Sequence, residues 1–269
     1  MKKLIFVVIL ASLVIFTFAA VAPAASSMAG IQKKGELVVG TTGTQPPLNA
    51  TDKNGKIIGF DADLARFIAM NMGVKIKFAK MPFGELLPAL EAGKVDMIIS
   101  SMTMTMKRNL KVAFVGPYYV SGKGILTKGD AIAKLQQGDG LNNSEFKVAA
   151  LADSTSQEFV EAAAPKAQLV KVQSYDDAVA MLKQDKINAL VADYPFCAFS
   201  AFRYQDQGLV AGQSRLTFEP LGIAVKPDPL LLNWLRNFVI LLDGSGQLKL
   251  LGKKWFENGD WIQQLPASN

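Results

Sequence analysis

The sequence predicts an α/β protein built as two similar lobes. Three observations predict it. Short apolar runs that read as strands alternate with segments of three-to-four apolar spacing that read as helices, as in sheets with crossover helices and largely parallel strands. The alternation runs from Glu36 to Ser100 and starts again at Phe146. With an N-terminal leader set aside, about 245 of the 269 residues remain, more than the ~100–150 of a typical single domain.

Glu36-Leu-Val-Val-Gly40 reads as the first strand, a short apolar run ending at a glycine. Pro46-Pro47 impose an extended turn, and Asp52-Lys-Asn-Gly55 a hairpin-like one. The spacing of Leu64, Phe67, Ile68 and Met72 predicts a helix over 60–72, with Asp61 and Asp63 in its first turn and Gly73 as its stop. Residues 74–78 alternate like a half-exposed strand. A helix is expected over 83–92, closed by Gly93, and a strand buried on both faces over 95–100. In the second half, strands are expected over 146–151, 169–172 and 187–192, and helices over 156–164 and 175–184. The stretch 129–144, rich in Gly, Gln, Asn and Asp, reads as an exposed excursion. Apolar stripes predict helices over 230–243 and 247–256. Gly244-Ser-Gly246 between them lacks the lysine that a phosphate loop requires, and reads as a connecting loop.

The first residues bear on compartment. Lys2 and Lys3 precede an apolar run from Leu4 to Phe18, and Ala22-Pro23-Ala24 fits a cleavage site for small residues. That order is a secretory signal peptide over residues 1–24, cleaved near Ala24. The run is about 15 residues, short of the ~20 of a spanning helix. No cysteine follows it to carry a lipid. Without Lys2 and Lys3 the formal charge falls from +6 to +4. The excess is scattered, and Lys33-Lys34 and Lys253-Lys254 are its lysine doublets. A nucleic-acid partner would need a clustered basic face, so none is expected.

The chain has no histidine and one cysteine, Cys197. Ser-His-Asp and Cys-His catalysis are therefore excluded in their usual forms. So are zinc sites of His and Cys and any disulfide within the chain. No metal and no cofactor is expected. Cys197, set among Phe196, Ala198 and Phe199, reads as a small buried hydrophobe.

Several segments, in order, resemble the bacterial extracellular solute-binding proteins that serve polar-amino-acid ABC transporters. They are Gly35-Glu-Leu-Val-Val-Gly-Thr-Thr42 with Pro46-Pro47, Gly59-Phe-Asp-Ala-Asp-Leu-Ala65, and Leu87-Pro-Ala-Leu-Glu-Ala-Gly-Lys-Val-Asp96. Met102-Thr-Met-Thr-x-x-Arg108, Gly116-Pro-Tyr-Tyr119, Ala192-Asp-Tyr-Pro195, Asp243-Gly244 and Lys254-Trp-Phe256 complete the series. The resemblance spans nearly all of the mature chain. It implies the type II periplasmic-binding-protein fold, with each lobe a mixed sheet flanked by helices. Residues 35–122 and 222–266 would form a discontinuous first lobe, and 123–221 the second. The crossings would lie near 119–126 and 218–225. The ligand would lie between the lobes, at the carboxyl ends of the strands. The implied setting is the periplasm. The implied partners are a free amino acid and a membrane permease, met by a monomer.

The resemblance also implies a site. Arg108 would hold the ligand carboxylate, since guanidinium is a planar fork of donors that matches a carboxylate bidentately. It is expected at a strand end rather than within a helix; the alternative is a surface arginine. Thr103 and the backbone at Ser101 would hold the same carboxylate. Asp193 would take the ammonium, although a residue after a strand is also a common helix N-cap. Thr155, with Ser154, precedes a helix whose free amides favour anions. Asp153 stands where the family usually has glycine, which leaves the local turn open. Phe83 would pack on the ligand side chain or belong to the core. Thr42, Gln45 and Leu48 stand where binders of basic amino acids and glutamine carry acidic or aromatic groups. A ligand with a neutral side chain is expected from them.

Two other functions compete. Cyclohexadienyl dehydratases resemble this family and share the Thr41-Thr42-Gly43 opening. Their general acid is a glutamate three residues past the position of Asp193, where this chain has Phe196, which cannot donate a proton. An enzyme is therefore not expected. A sensor domain for a membrane receptor is the other alternative.

Overall fold

The computed structural model describes residues 27–135 and 140–267. The expected signal peptide lies outside them. In chain order the elements begin with α1 (Met28–Lys34), β1 (Glu36–Thr41), β2 (Thr44–Gln45), β3 (Asn49–Thr51) and β4 (Ile57–Ile58). Then come α2 (Phe60–Met72), β5 (Lys75–Lys80), α3 (Phe83–Glu91), β6 (Met97–Ile98), α4 (Met106–Asn109) and β7 (Ala113–Ser121). The second half opens with β8 (Lys123–Lys128), α5 (Gly129–Leu135), β9 (Lys147–Leu151), α6 (Thr155–Ala163) and β10 (Gln168–Val172). It continues with α7 (Tyr175–Lys183), β11 (Ala189–Asp193), α8 (Tyr194–Arg203), β12 (Leu209–Ala211) and β13 (Glu219–Val225). The C-terminal part holds α9 (Pro229–Gly244) and α10 (Gln247–Gly252), the latter running into a π turn over Lys253–Glu257.

Two five-stranded sheets carry the lobes, in the orders β5-β1-β6-β13-β7 and β10-β9-β11-β8-β12. Both are mixed. Parallel pairs join β1 to β5 and β6, and β9 to β10 and β11. Antiparallel pairs add β13 and β7 to the first sheet and β8 and β12 to the second. The mainly parallel sheets expected from the alternation therefore hold only for the βα units. The added strands belong to the segments that run between the lobes: β7 in the first sheet leads through Gly122 directly into β8 of the second, and β12 of the second is followed by β13 of the first.

The helices form for the reasons the sequence carries. The apolar stripe of α2 buries Leu64, Ile68 and Met72 against Leu37 and Val39 of β1, and Gly73 ends the helix at φ 68°. Leu231, Leu235, Phe238 and Leu242 of α9 join the same core. The Asp228 side chain accepts from the Leu231 amide, capping α9. In the second lobe α7 and α8 pack Val179, Leu182, Phe196 and Cys197 beside Leu126 and Leu190. Cys197 is fully buried, and burial pushes its thiol far up, so it behaves as the small hydrophobe expected.

Two expectations need correction. The stretch 129–144 begins with a helix, α5, rather than running as an open excursion. Arg108 lies in a short helix, α4, rather than at a strand end. The Thr105 hydroxyl caps that helix by accepting from the Arg108 amide at 3.2 Å, a local signal that overrides the extended run before it. A cation in the last turn of a helix is well placed for the helix dipole. Among the described residues, no helix is long and apolar enough to cross a membrane.

Candidate functional site

Of the expected site residues, Arg108, Thr103, Phe83, Gln45, Asp193 and Thr155 meet at one interlobe cleft. On the first lobe, the Arg108 guanidinium turns back and donates Nη1 to the Thr103 carbonyl at 3.0 Å. It lies over the Phe83 ring, 5.4 Å from its centre. Phe83 opens α3 and is buried, so it is at once core and a support for Arg108. Across the cleft, Arg108 Nη2 donates to the Asp153 carbonyl at 3.4 Å. Burial pulls the guanidinium pKa down, and the charges of Glu158, Glu219 and Asp193 oppose that pull.

Asp193 ends β11 and stands at the N-cap position of α8, yet its side chain caps nothing. It is buried and aimed into the cleft. Its Oδ1 accepts from Lys123 Nζ at 2.7 Å, and its Oδ2 accepts from the Gln45 amide of the first lobe. The capping alternative for Asp193 is thus set aside by geometry.

Thr155 and Thr103 approach each other across the cleft at 3.4 Å. Both donate to Glu219 Oε2, at 3.0 and 2.6 Å respectively. The Ser154 hydroxyl accepts from the amides of Ser156 and Gln157, capping α6. Asp153 adopts φ 60°, the left-handed conformation that a glycine would favour and aspartate tolerates. The departure from glycine therefore leaves the turn intact. Gly84 on the opposing lobe leaves room for the Asp153 side chain; a Cβ there would come within 2.5 Å of its carboxylate oxygen.

Thr42 and Ser101 are tied into a buried polar network rather than left open to the cleft. The Thr42 hydroxyl donates to Asn49 Oδ1 at 2.8 Å, and Asn49 Nδ2 donates to Asp61 at 2.9 Å. The Ser101 amide, at φ 52°, donates to Asp61 Oδ2 at 2.9 Å, and the Tyr118 hydroxyl donates to Asp61 Oδ1 at 2.9 Å. Burial raises the Asp61 carboxyl to about 6 against the pull of these donors. Leu48 is fully buried in the first core.

Sequence reasoning missed Lys123 and Glu219. Lys123 is only 2% exposed, and its ammonium lies 2.7 Å from Asp193 and 3.6 Å from Glu219. Burial alone would raise the Glu219 carboxyl. The Lys123 charge and the hydroxyls of Thr103, Thr217 and Thr155 together hold it below the usual range. A cavity of about 480 Å³ lined by Gly43, Lys80, Asp176, Phe199 and Arg203 lies beside this cleft and includes neither Arg108 nor Asp193.

Two α/β lobes joined by crossing strands, with fixed charges facing each other between them, define a type II periplasmic-binding-protein fold. The chain belongs to the bacterial extracellular solute-binding proteins, family 3, whose pattern matches residues 37–258. It is 28% identical over 263 residues to the ABC transporter arginine-binding protein 1 of Escherichia coli K12, covering 95% of this chain and 99% of that one. A putative ABC-transporter binding component from Wolinella succinogenes, solved with lysine, superposes with a TM-score of 0.81 at 33% identity, over 86% of this chain and 99% of that one. An ancestral amino acid-binding protein described as a precursor of cyclohexadienyl dehydratase gives a TM-score of 0.78 at 35% identity, over 85% and 98% of the two chains.

Proposed function

We propose that this protein binds a free L-amino acid with a neutral side chain between its lobes and does no chemistry on it. Arg108 takes the ligand carboxylate, with Thr103 and Thr155 beside it. Asp193 takes the ammonium. Phe83 and Gln45 border the remaining space. The lobes are the segments 35–122 with 222–266, and 123–221. Closure of one on the other traps the ligand, because contacts to both lobes exist only in the closed state. A periplasmic monomer that hands its ligand to an ABC-transporter permease fits this reading and the relatives that bind arginine or lysine.

One observation carries the reading. Asp193 is a buried carboxylate at a helix N-cap position whose side chain caps nothing and instead faces Arg108's side of the cleft. A thermal-shift panel of free amino acids tests it. A ligand at 100 times its Kd adds ~2.7 kcal/mol to stability. Uniform silence across the panel would end the proposal.

The dehydratase-like alternative has a specific objection. Phe196 is buried and stacked on Tyr175, with ring centres 4.6 Å apart, where the acid would be needed. No turnover of arogenate or prephenate is expected. Product formation that is lost in Asp193→Asn would reverse that reading.

A further inference from the structure

Lys123 is the most deeply buried cation of the cleft, and its placement is built rather than incidental. It is the first residue of β8 and pairs directly with Asp193 across the antiparallel β8–β11 ladder. Residues opposite each other on such a ladder share a face, which brings the two side chains together. Its backbone is held as well. The Lys123 amide donates to the Thr217 hydroxyl at 3.0 Å, and the Leu216 amide donates to the Lys123 carbonyl at 2.8 Å. Glu219, which begins β13, completes the group from the other crossing segment. A buried ammonium is tolerated only when it is paired, and this one meets two carboxylates.

Charge balance follows from these placements. Arg108 and Lys123 are the cations around the Asp193–Glu219 pair, and Asp153, whose carboxylate lies against Gly84, is a further acid at the cleft. The inner four, Arg108, Lys123, Asp193 and Glu219, sum to zero before any ligand enters. An amino acid with a neutral side chain carries one ammonium and one carboxylate, and leaves the balance unchanged. A second cation on the ligand would enter a desolvated cleft where Lys123 already claims Asp193 and Glu219, leaving Asp153 against Gly84 as the remaining acid. Like charges brought together out of water are strongly unfavourable. Without Lys123 the same cleft would hold an excess of negative charge and would suit a cationic ligand.

We infer that Lys123 is a specificity residue: a cation built into the chain at the Asp193–Glu219 pair, which excludes amino acids with a cationic side chain. The inference rests on the amino-acid reading above. The ligand ammonium shares Asp193 with Lys123, since a carboxylate offers about four acceptor positions. In this arrangement it takes the place of the Gln45 amide.

Titration calorimetry with arginine, lysine, glutamine and serine tests it, on the wild-type protein, Lys123→Gln and Glu219→Gln. In the wild type the neutral ligands bind, and arginine and lysine bind roughly a hundredfold more weakly or not at all. Lys123→Gln narrows that ratio by about tenfold or more, or inverts it. Glu219→Gln removes an anion and widens it. Circular dichroism melts establish that each variant is folded. The inference falls if folded Lys123→Gln leaves the ratio unchanged, if it binds no amino acid at all, or if the wild type takes arginine as well as glutamine. The outcomes separate the two readings. A wild type that binds no amino acid sinks the amino-acid proposal itself, whereas a wild type that prefers arginine sinks the role of Lys123 and the neutral side chain and leaves amino-acid binding standing.

Discussion

Gln45 and Asp193, 148 residues apart in sequence, meet across the interlobe cleft, the amide of one donating to the carboxylate of the other. One residue belongs to the small β2–β3–β4 sheet of the first lobe, the other to the end of β11 in the second. The bond therefore exists only while the lobes are together. A hydrogen bond to a charged acceptor contributes about 1.5–3 kcal/mol, enough to move a hinge equilibrium. Gln45→Ala should raise the radius of gyration measured by solution scattering without added ligand. Saturating amino acid should bring it back down. Identical scattering for variant and wild type would show that this bond does not hold the lobes.

Arg108→Ala should abolish amino-acid binding while leaving the fold intact. Removing one partner of a desolvated charge pair costs about 3–5 kcal/mol. A micromolar site is worth about 8 kcal/mol in all, so affinity should fall to roughly millimolar or weaker. Arg108→Lys keeps the charge but loses the planar fork, and should recover only part of the affinity. Calorimetry that finds less than about a tenfold loss in Arg108→Ala would remove the residue from the site.

The residues of the site were legible to different depths, and the reason is physical. The helix of Leu64, Ile68 and Met72 and the turn at Gly73 are local patterns, and they fall where periodicity places them. Asp193 and Arg108 could be singled out through the resemblance carried by Ala192-Asp-Tyr-Pro195 and Met102-Thr-Met-Thr-x-x-Arg108. Lys123 could not. It lies in Ser121-Gly-Lys-Gly124, which has no periodic signal, and lysine is rarely buried. Its partner Asp193 is 70 residues away and becomes a neighbour only through the β8–β11 register. Asn49 was missed for the same reason, since Thr42, Asp61 and Ser101 converge on it only in the fold. Gln45 was expected near the ligand side chain and lies instead against Asp193. The strands β7, β8, β12 and β13 turn each sheet mixed, and their direction depends on how the chain crosses between lobes, which alternation along the sequence does not encode.

Phe83 offers a test that separates support of Arg108 from simple packing. Its ring lies under the guanidinium, and a desolvated cation–π contact contributes about 2 kcal/mol. Phe83→Leu keeps an apolar side chain in the core, so stability should fall by about 2 kcal/mol, chiefly the lost contact with Arg108. Affinity should also drop by roughly tenfold or more, because Arg108 loses the surface that fixes its plane. Equal affinities for Phe83→Leu and wild type would confine Phe83 to the core.

Asp61 gives the fold a pH dependence of defined sign. Its carboxyl is raised from 3.8 to about 6 in the folded protein, chiefly by burial, with Asn49, Tyr118 and Ser101 donating against that rise. Between those two values the native state keeps a proton that the unfolded chain has already released. Stability must then fall as pH rises through this window, and level off above the folded value. A shift of about two units corresponds to about 3 kcal/mol. Asp61→Asn cannot titrate, so it lacks this slope, although it loses acceptors for Ser101 and Tyr118 by an amount independent of pH. Other acids, Glu219 among them, titrate alike in both proteins and cancel in the difference. Urea unfolding of wild type and Asp61→Asn across about pH 4 to 7 should therefore show the variant gaining on the wild type as pH rises, by a total of about 3 kcal/mol. Parallel stability curves would mean that Asp61 is ionised throughout and that its donors, not burial, set its charge.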